Sequence, residues 1–323
     1  MKAMVFTRYG SPDVLRLEEV DQPAPADNEV LVKISATGLN ALDWRILHAK
    51  PFLVRFFFGF FKPKKSHILG ADIAGTVEAV GKNVTRFQPG DEVFGDTFES
   101  GLGGFAEFAC VREDLLVKIP SGVTFEQAAA LPVPGYTVLQ GLRDKGKIQA
   151  GQKVLIHGAS GGVGTLAIQI AKAYGAEITA VCSTRNVEMV RLLGADHVVD
   201  YTREDFTKNG QQYDLIFAAN GARSIFAYKR SLSPQGSYVC AGGSLKQMFQ
   251  TILLGPWMAK VSQQKFVMVS ASSNLMDLEA LAELIAGGKI KPVIDKVYPL
   301  AQLPEAIRYM LEVHAQGKII IAM

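Results

Sequence analysis

The run Val154-Leu155-Ile156-His157-Gly158-Ala159-Ser160-Gly161-Gly162-Val163-Gly164-Thr165-Leu166-Ala167-Ile168 leaves the chain few ways to fold. Val154, Leu155 and Ile156 form an apolar triplet suited to a buried parallel strand. Leu166, Ala167, Ile170 and Ala171 recur at helical spacing, and Gly175 marks a helix stop. Between them sits Ala159-x-Gly161-x-x-Gly164, with Ala in the first glycine slot. Small residues there let a diphosphate reach backbone N–H groups, and a helix start favours its negative charge. An ordinary turn of an α/β protein can share the spacing. The next strand, Glu177-Ile178-Thr179-Ala180-Val181-Cys182, supplies the context that a dinucleotide fingerprint requires. The candidate cofactor-binding residues of this turn are Ala159, Ser160, Gly161, Gly162, Val163 and Gly164.

An NAD site places an Asp or Glu on the ribose diol at the end of that second strand, about twenty residues after the glycines. Here the chain offers Ser183-Thr184-Arg185-Asn186, with a cation and hydroxyls but no carboxylate. Such a group accepts the 2′-phosphate of NADP through charge-assisted hydrogen bonds, so NADPH is the expected cofactor. The alternative reading of Arg185 is a solvated residue at a helix start.

At 323 residues the chain is long for one core, and two domains are expected. A net charge of +3 gives no argument for nucleic acid. Cys110, Cys182 and Cys240 are dispersed, with no CxxC pair, which points to a reducing compartment. The opening residues read as a strand rather than a signal peptide, and no apolar run is long enough to span a bilayer. A cytoplasmic protein is expected.

Up to about residue 120 the chain reads as short strands: 3–7, 15–20, 29–36, 73–81, 92–95, 105–111 and 115–119. Scattered glycines suggest a small barrel. Helices are expected over 121–130 and 134–142. Strands and helices then alternate, with strands at 154–157, 178–182, 197–200, 214–218, 238–241 and 265–269. That alternation implies an α/β fold with a doubly wound parallel sheet, strand 265–269 lying at its edge. After about residue 275 a helix over 278–286, a strand at 293–297, a helix over 303–313 and a strand at 318–321 read as a return to the first domain. The domains are therefore set at 1–121 with 271–323, and at 122–270.

Two stretches fit neither pattern. Residues 51–65 are aromatic-rich with basic flanks, and residues 245–259 carry Leu253, Trp257 and Met258 among other apolar side chains. The first is expected to be core or pocket wall, with peripheral membrane contact the lesser alternative. The second is expected to be a lid or a dimer surface. Either could close over an acceptor site.

Read in order, Leu69-Gly70-Ala71-Asp72-Ile73-Ala74-Gly75, Pro89-Gly90-Asp91-Glu92-Val93, Pro134-Gly135-Tyr136-Thr137 and the glycine turn form a specific set. The chain resembles the medium-chain dehydrogenase/reductase superfamily over nearly its whole length. Asn40-Ala41-Leu42-Asp43-Trp44-Arg45 and Cys182-Ser183-Thr184-Arg185-Asn186 are similar to its zinc-free quinone oxidoreductase branch, bacterial and chloroplast-envelope members included. The resemblance implies a Rossmann domain with a β-rich GroES-like catalytic domain, and a homodimer. It also sets this chain apart from the zinc alcohol dehydrogenases. Those carry Cys where Asn40 stands, His-Glu where Ala71-Asp72 stand, and a lobe of four cysteines after the position of Asp96. Three or four converging ligands are needed for zinc, and His67 alone does not supply them. No metal is expected.

Without a Lewis acid, the easier reaction is hydride transfer from NADPH to an electron-poor acceptor such as a quinone or an α,β-unsaturated carbonyl. The resemblance implies that Thr137, with Tyr136 nearby, faces the nicotinamide, and that Asn40 and Asp43 line an acceptor cleft between the domains. It also places Tyr201 beside the adenosine phosphate. Asn220, Gly221, Gly242 and Gly243 follow later strands, where cofactor loops lie. The catalytic candidates are Asn40, Asp43 and Tyr136. Their alternatives are a turn residue, a helix N-terminal charge and a packing residue. No proton-donating His or Tyr stands out, and solvent would protonate the enolate. Two other functions stay open. One is an enoyl-thioester reductase, with Lys62, Lys64 and Lys65 as a CoA phosphate patch or merely a solvated loop. The other is an NADPH-binding redox sensor with little turnover.

Overall fold

The computed structural model describes residues 1–63, 68–313 and 315–323. In chain order the strands are β1 (Lys2–Val5), β2 (Arg16–Glu19), β3 (Glu29–Leu39), β4 (Asp72–Val80), β5 (Glu92–Asp96), β6 (Phe108–Arg112) and β7 (Leu116–Lys118). They continue as β8 (Lys153–His157), β9 (Glu177–Cys182), β10 (His197–Asp200), β11 (Tyr213–Ala218), β12 (Leu232–Cys240), β13 (Lys265–Met268), β14 (Ile294–Pro299) and β15 (Lys318–Ala322). The chain divides into two units. One comprises Met1–Val133, Ser273–Gly287 and Pro292–Met323, the other Pro134–Ser272 and Gly288–Lys291. Among the described residues, no helix is long and apolar enough to cross a membrane.

The first unit is organised on β3. One edge of β3 pairs antiparallel with β4, and the other with β6 over Glu29–Lys33 and then with β15 over Ala36–Leu39. The β3–β4 register shifts twice, with Glu78 of β4 extra between the Leu31 and Val32 pairs and Ser35 of β3 extra between the Ile34 and Ala36 pairs. Val30, Val32, Ile34, Ile73, Val77, Val93, Val111 and Leu116 fill one core on this sheet. A second core gathers Met4, Phe6, Leu39, Ile46 and Leu47 with Leu303, Ile307, Ile319 and Ile321, so the chain's last helix and strand belong here. Ile46 and Leu47 come from helix α1 (Ala41–Leu47), and a short helix α2 (Val54–Phe58) follows it.

Residues 122–133 also join this unit, although the alternating pattern after residue 120 assigns them to the dinucleotide domain. The reason is helix α3 (Phe125–Ala129), whose buried Ala128 and Ala129 lie against β3, β4 and β5. The core reading of residues 52–61 needs correction too. Val54 and Phe58 pack on the second core, but Phe57 and Phe61 are 83% and 86% exposed.

In the second unit six strands pair in the order β10-β9-β8-β11-β12-β13, all parallel. Chain order reverses between β8 and β11, the switch point where ligands of such sheets bind. Val154, Leu155, Ile156, Leu215, Ile216 and Phe217 are wholly buried, because helices cover both faces of a parallel sheet. Helix α4 (Pro132–Leu139) opens the unit, and α5 (Gly162–Ala173) buries Leu166, Ala167, Ile168, Ile170 and Ala171. β13 is a sheet edge, as its place in the sequence suggests.

Candidate functional site

Register brings the dinucleotide residues together. His157 lies opposite Val181 and Ala218, and Ala218 lies opposite Cys240. The carboxyl ends of β8, β9, β11 and β12 are therefore level, and the loops leaving them share one edge of the sheet. Backbone bonds lock these loops: Ala159 N–H to Val181 O (3.1 Å), Asn220 N–H to His157 O (3.2 Å) and Gly242 N–H to Ala218 O (3.1 Å). Gly221 and Gly243 form a parallel bridge.

The glycine turn divides its tasks among its members. A Cβ on Gly164 would lie 2.1 Å from Gly158 O and 2.7 Å from the Ala159 backbone, so only glycine lets α5 pack so closely on the turn. Gly161 is the opposite case. Its Cβ would meet nothing nearer than Gly158 O at 4.0 Å, and no side chain caps α5, whose N-cap it is. Open space before an uncapped helix start is where a diphosphate fits, since the first N–H groups of a helix have no partner within it. The residues present fit a dinucleotide.

At the end of β9, Ser183 is half-buried while Thr184 and Arg185 are exposed. Tyr201, 47% exposed, is held beside them by its N–H bond to Cys182 O (3.0 Å). A carboxylate is present after all, from the neighbouring strand: Asp200 Oδ2 accepts from Thr184 Oγ1 at 2.5 Å. Thr202 donates to its Oδ1 from both Oγ1 (2.7 Å) and N–H (3.0 Å), and Arg203 lies 3.5 Å away. Asp200 is thus engaged in tying two loops together. Behind the loops His157 Nδ1 is 2.7 Å from Tyr228 OH, and burial holds its imidazole down at about 4. His157 is neutral at physiological pH and structural.

Tyr136 and Thr137 lie on α4 in this second unit, Tyr136 fully buried and Thr137 half-buried. Asn40 and Asp43 come together in the first unit, in an interior polar cluster. Asp43 is the third residue of α1, and its carboxylate accepts from Asn40 N–H (2.8 Å) and Gly70 N–H (3.1 Å). It is wholly buried, and burial raises its pKa to about 7, with the nearby Asp72 charge adding to the effect. The Asn40 side chain is equally committed. Its Nδ2 donates to Asp72 Oδ2 (2.8 Å) and Gly38 O (3.1 Å), and its Oδ1 accepts from Lys318 Nζ (2.7 Å). Lys318 also donates to Leu39 O and Asp72 Oδ2, both at 3.0 Å. Asp72 Oδ1 accepts from Val133 N–H (2.8 Å). The geometry gives Asn40 and Asp43 partners inside the protein, and these bonds tie the start of α1 to Gly70, Asp72 and Lys318. Asp96, bonded to Ser273 Oγ, is a further buried acid, raised by burial to about 6.

Lys318 and Asp200 carry no sequence signal of these roles. Lys318 opens the apolar strand Lys-Ile-Ile-Ile-Ala, and its partner Asn40 is 278 residues away. Among the described residues, no three His, Cys, Asp or Glu side chains gather as metal ligands would. Lys64, Lys65 and His67 lie outside the described residues.

A doubly wound parallel unit joined in one chain to a β-rich unit is the architecture expected of a medium-chain dehydrogenase or reductase. Residues 26–121 match the alcohol dehydrogenase GroES-like domain, and residues 193–321 match the zinc-binding dehydrogenase family. The chain is 36% identical over 334 residues to the chloroplast envelope quinone oxidoreductase homolog of Arabidopsis thaliana, covering 99% of this chain and 98% of that one. It is 34% identical over 337 residues to the chloroplastic NADPH-dependent alkenal/one oxidoreductase of the same plant, covering 99% and 79%. The structure of the quinone oxidoreductase from Coxiella burnetii superposes with a TM-score of 0.89 at 28% identity, covering 100% of this chain and 99% of the other. The chain belongs to the medium-chain dehydrogenase/reductase superfamily and is quinone oxidoreductase-like within it.

Proposed function

We propose that the protein is an NADPH-dependent reductase of quinones or α,β-unsaturated carbonyls that needs no metal. The observation that carries this reading is the cradle at the carboxyl edge of the parallel sheet, with open space at Gly161 before an uncapped α5. Backbone N–H groups of residues 161–164 would hold the diphosphate. Ser183 and the exposed Arg185 would take the 2′-phosphate through charge-assisted hydrogen bonds, while Asp200 beside them is bound to Thr184, Thr202 and Arg203. Asn220, Gly221, Gly242 and Gly243 would border the remainder, and Thr137 would face the nicotinamide. When bound, NADPH supplies a hydride to an electron-poor carbon.

Asn40 and Asp43 keep α1 in place and give no proton to the substrate. Solvent protonates the product. The relatives named for quinones and for alkenals or enones support this acceptor class. The free cysteines Cys110, Cys182 and Cys240 agree with a reducing, cytoplasmic setting. The unpaired edge of β13 supports a homodimer in which two such edges meet.

Fluorescence titration tests the cofactor assignment. Wild-type protein should bind NADPH more tightly than NADH, and Arg185→Glu should erase most of the difference. One charge-assisted contact is worth about 1.5–3 kcal/mol, roughly one to two decades of affinity. Equal affinity of the wild type for NADH and NADPH would show the assignment to be wrong.

A further inference from the structure

The segment around α2 is built to face something other than water. Its inner side is fixed: Val54 and Phe58 pack on the second core of the first unit, and Tyr9 OH donates to Gly59 O at 2.8 Å. Its outer side presents Phe52, Leu53, Phe56, Phe57, Phe60 and Phe61, each between 43% and 86% exposed. The rings are ordered against one another. Phe52 meets Phe56 and Phe60 edge to face at 6.1 and 5.5 Å, Phe56 meets Phe60 at 5.9 Å, and Phe60 meets Phe61 at 5.0 Å. An apolar cluster of this size left in water marks a contact surface.

Charge indicates which surface. Lys50 and Lys62, both exposed, flank the cluster in sequence, and the Arg55 guanidinium lies within it, 5.7 Å from the Phe52 ring. Residues 44–63 contain no Asp or Glu. Protein interfaces are depleted in lysine, whereas aromatic rings edged by lysine and arginine suit a bilayer surface with anionic headgroups. The rings settle at the boundary between headgroups and acyl chains, and the cations meet the phosphates and carboxylates above it.

We propose that the α2 segment is a membrane-surface docking site for bilayers carrying anionic lipid. The binding requires neither cofactor nor acceptor, so it stands or falls separately from the reductase reading.

The test is sedimentation of the full chain with vesicles of phosphatidylcholine and phosphatidylserine in equal parts, and with phosphatidylcholine alone. Wild-type protein should pellet with the mixed vesicles at low salt and much less with the neutral ones. Phe57→Ser with Phe61→Ser should lower the partition coefficient at least about tenfold, because two large exposed apolar side chains are removed. Lys50→Gln with Lys62→Gln, at two exposed positions, should weaken binding to the mixed vesicles alone and flatten its salt dependence. Wild-type protein that stays in the supernatant with mixed vesicles overturns the proposal. So do Phe variants that pellet like wild type. A third refuting result is light scattering in which the Phe pair holds two copies together while vesicles are ignored.

Discussion

Replacing Lys318 by methionine should be among the most damaging single changes in the first unit. The Lys318–Asp72 pair lies 3.0 Å apart with side chains only 6% and 0% exposed. Nζ makes three bonds, to Leu39 O, Asn40 Oδ1 and Asp72 Oδ2. Methionine fills similar volume but takes one donor from each of three acceptors and leaves the buried Asp72 carboxylate without its cation. Breaking such a pair from one side costs about 3–5 kcal/mol, because the remaining charge stays buried and uncompensated. Asp72 keeps Asn40 Nδ2 and Val133 N–H as donors, both at 2.8 Å, so the loss should fall near the lower end. About 3 kcal/mol corresponds to a melting shift of roughly 6–12 °C for a unit of this size. Adding Asp72→Asn removes the orphan charge, and the double variant should regain about 1–2 kcal/mol over Lys318→Met alone. The assay is urea unfolding in a Trp257→Phe background. Trp44 on α1 is then the only tryptophan and reports on the unit that holds the pair. A Lys318→Met loss below about 1 kcal/mol, or a double variant with additive losses, would refute the argument.

Other outcomes follow from the same contacts. Asn40→Ala should destabilise the first unit by about 1–3 kcal/mol by orphaning buried partners, yet leave NADPH affinity unchanged in a fluorescence titration, since the cradle lies in the second unit. Gly164→Val should abolish NADPH binding measured the same way, because its Cβ would stand 2.1 Å from Gly158 O. Burial raises Asp43 to about 7, so the folded state holds a proton that the unfolded chain releases near its ordinary value. That contribution is full below about pH 4 and is lost as pH rises to about 7. Asp43→Asn should therefore lose less stability than wild type between pH 5 and pH 7.5, read from urea midpoints. Val267→Pro, in the edge strand, should shift light scattering from dimer to monomer; a wild-type monomer would remove the dimer proposal.

What was legible in the sequence was local. The glycine turn could be read because its strand, turn and helix are contiguous, and each glycine answers a steric demand within a few residues. The doubly wound parallel sheet, with strand 265–269 at its edge, follows from the alternation of strands and helices, because parallel strands with crossover helices have few arrangements. The polar cluster of the first unit was not legible. Asn40, Asp72 and Lys318 meet only when β15 returns to pair with β3, and no spacing rule links residues 246 or 278 positions apart. The buried partners of Asn40 and Asp43 are therefore hidden from the sequence, whose resemblance implies only a place at the acceptor cleft for them. Asp200 was missed for a related reason, since it reaches the end of β9 from the adjacent strand. Exposure of Phe57 and Phe61 in the aromatic stretch is hidden from the sequence because apolar composition signals burial on average and does not say which face of a short helix meets the core.

Nicotinamide absorbance, followed on mixing the protein with NADPH and a panel of enones and quinones after exhaustive chelation, tests the proposed reductase activity. An NADPH-dependent reductase should show steady NADPH oxidation with at least one electron-poor acceptor, one saturated or quinol product per cofactor consumed, and far slower turnover with NADH at the same concentration. Tight NADPH binding with no oxidation by any acceptor, or turnover restored only by added zinc, would contradict it.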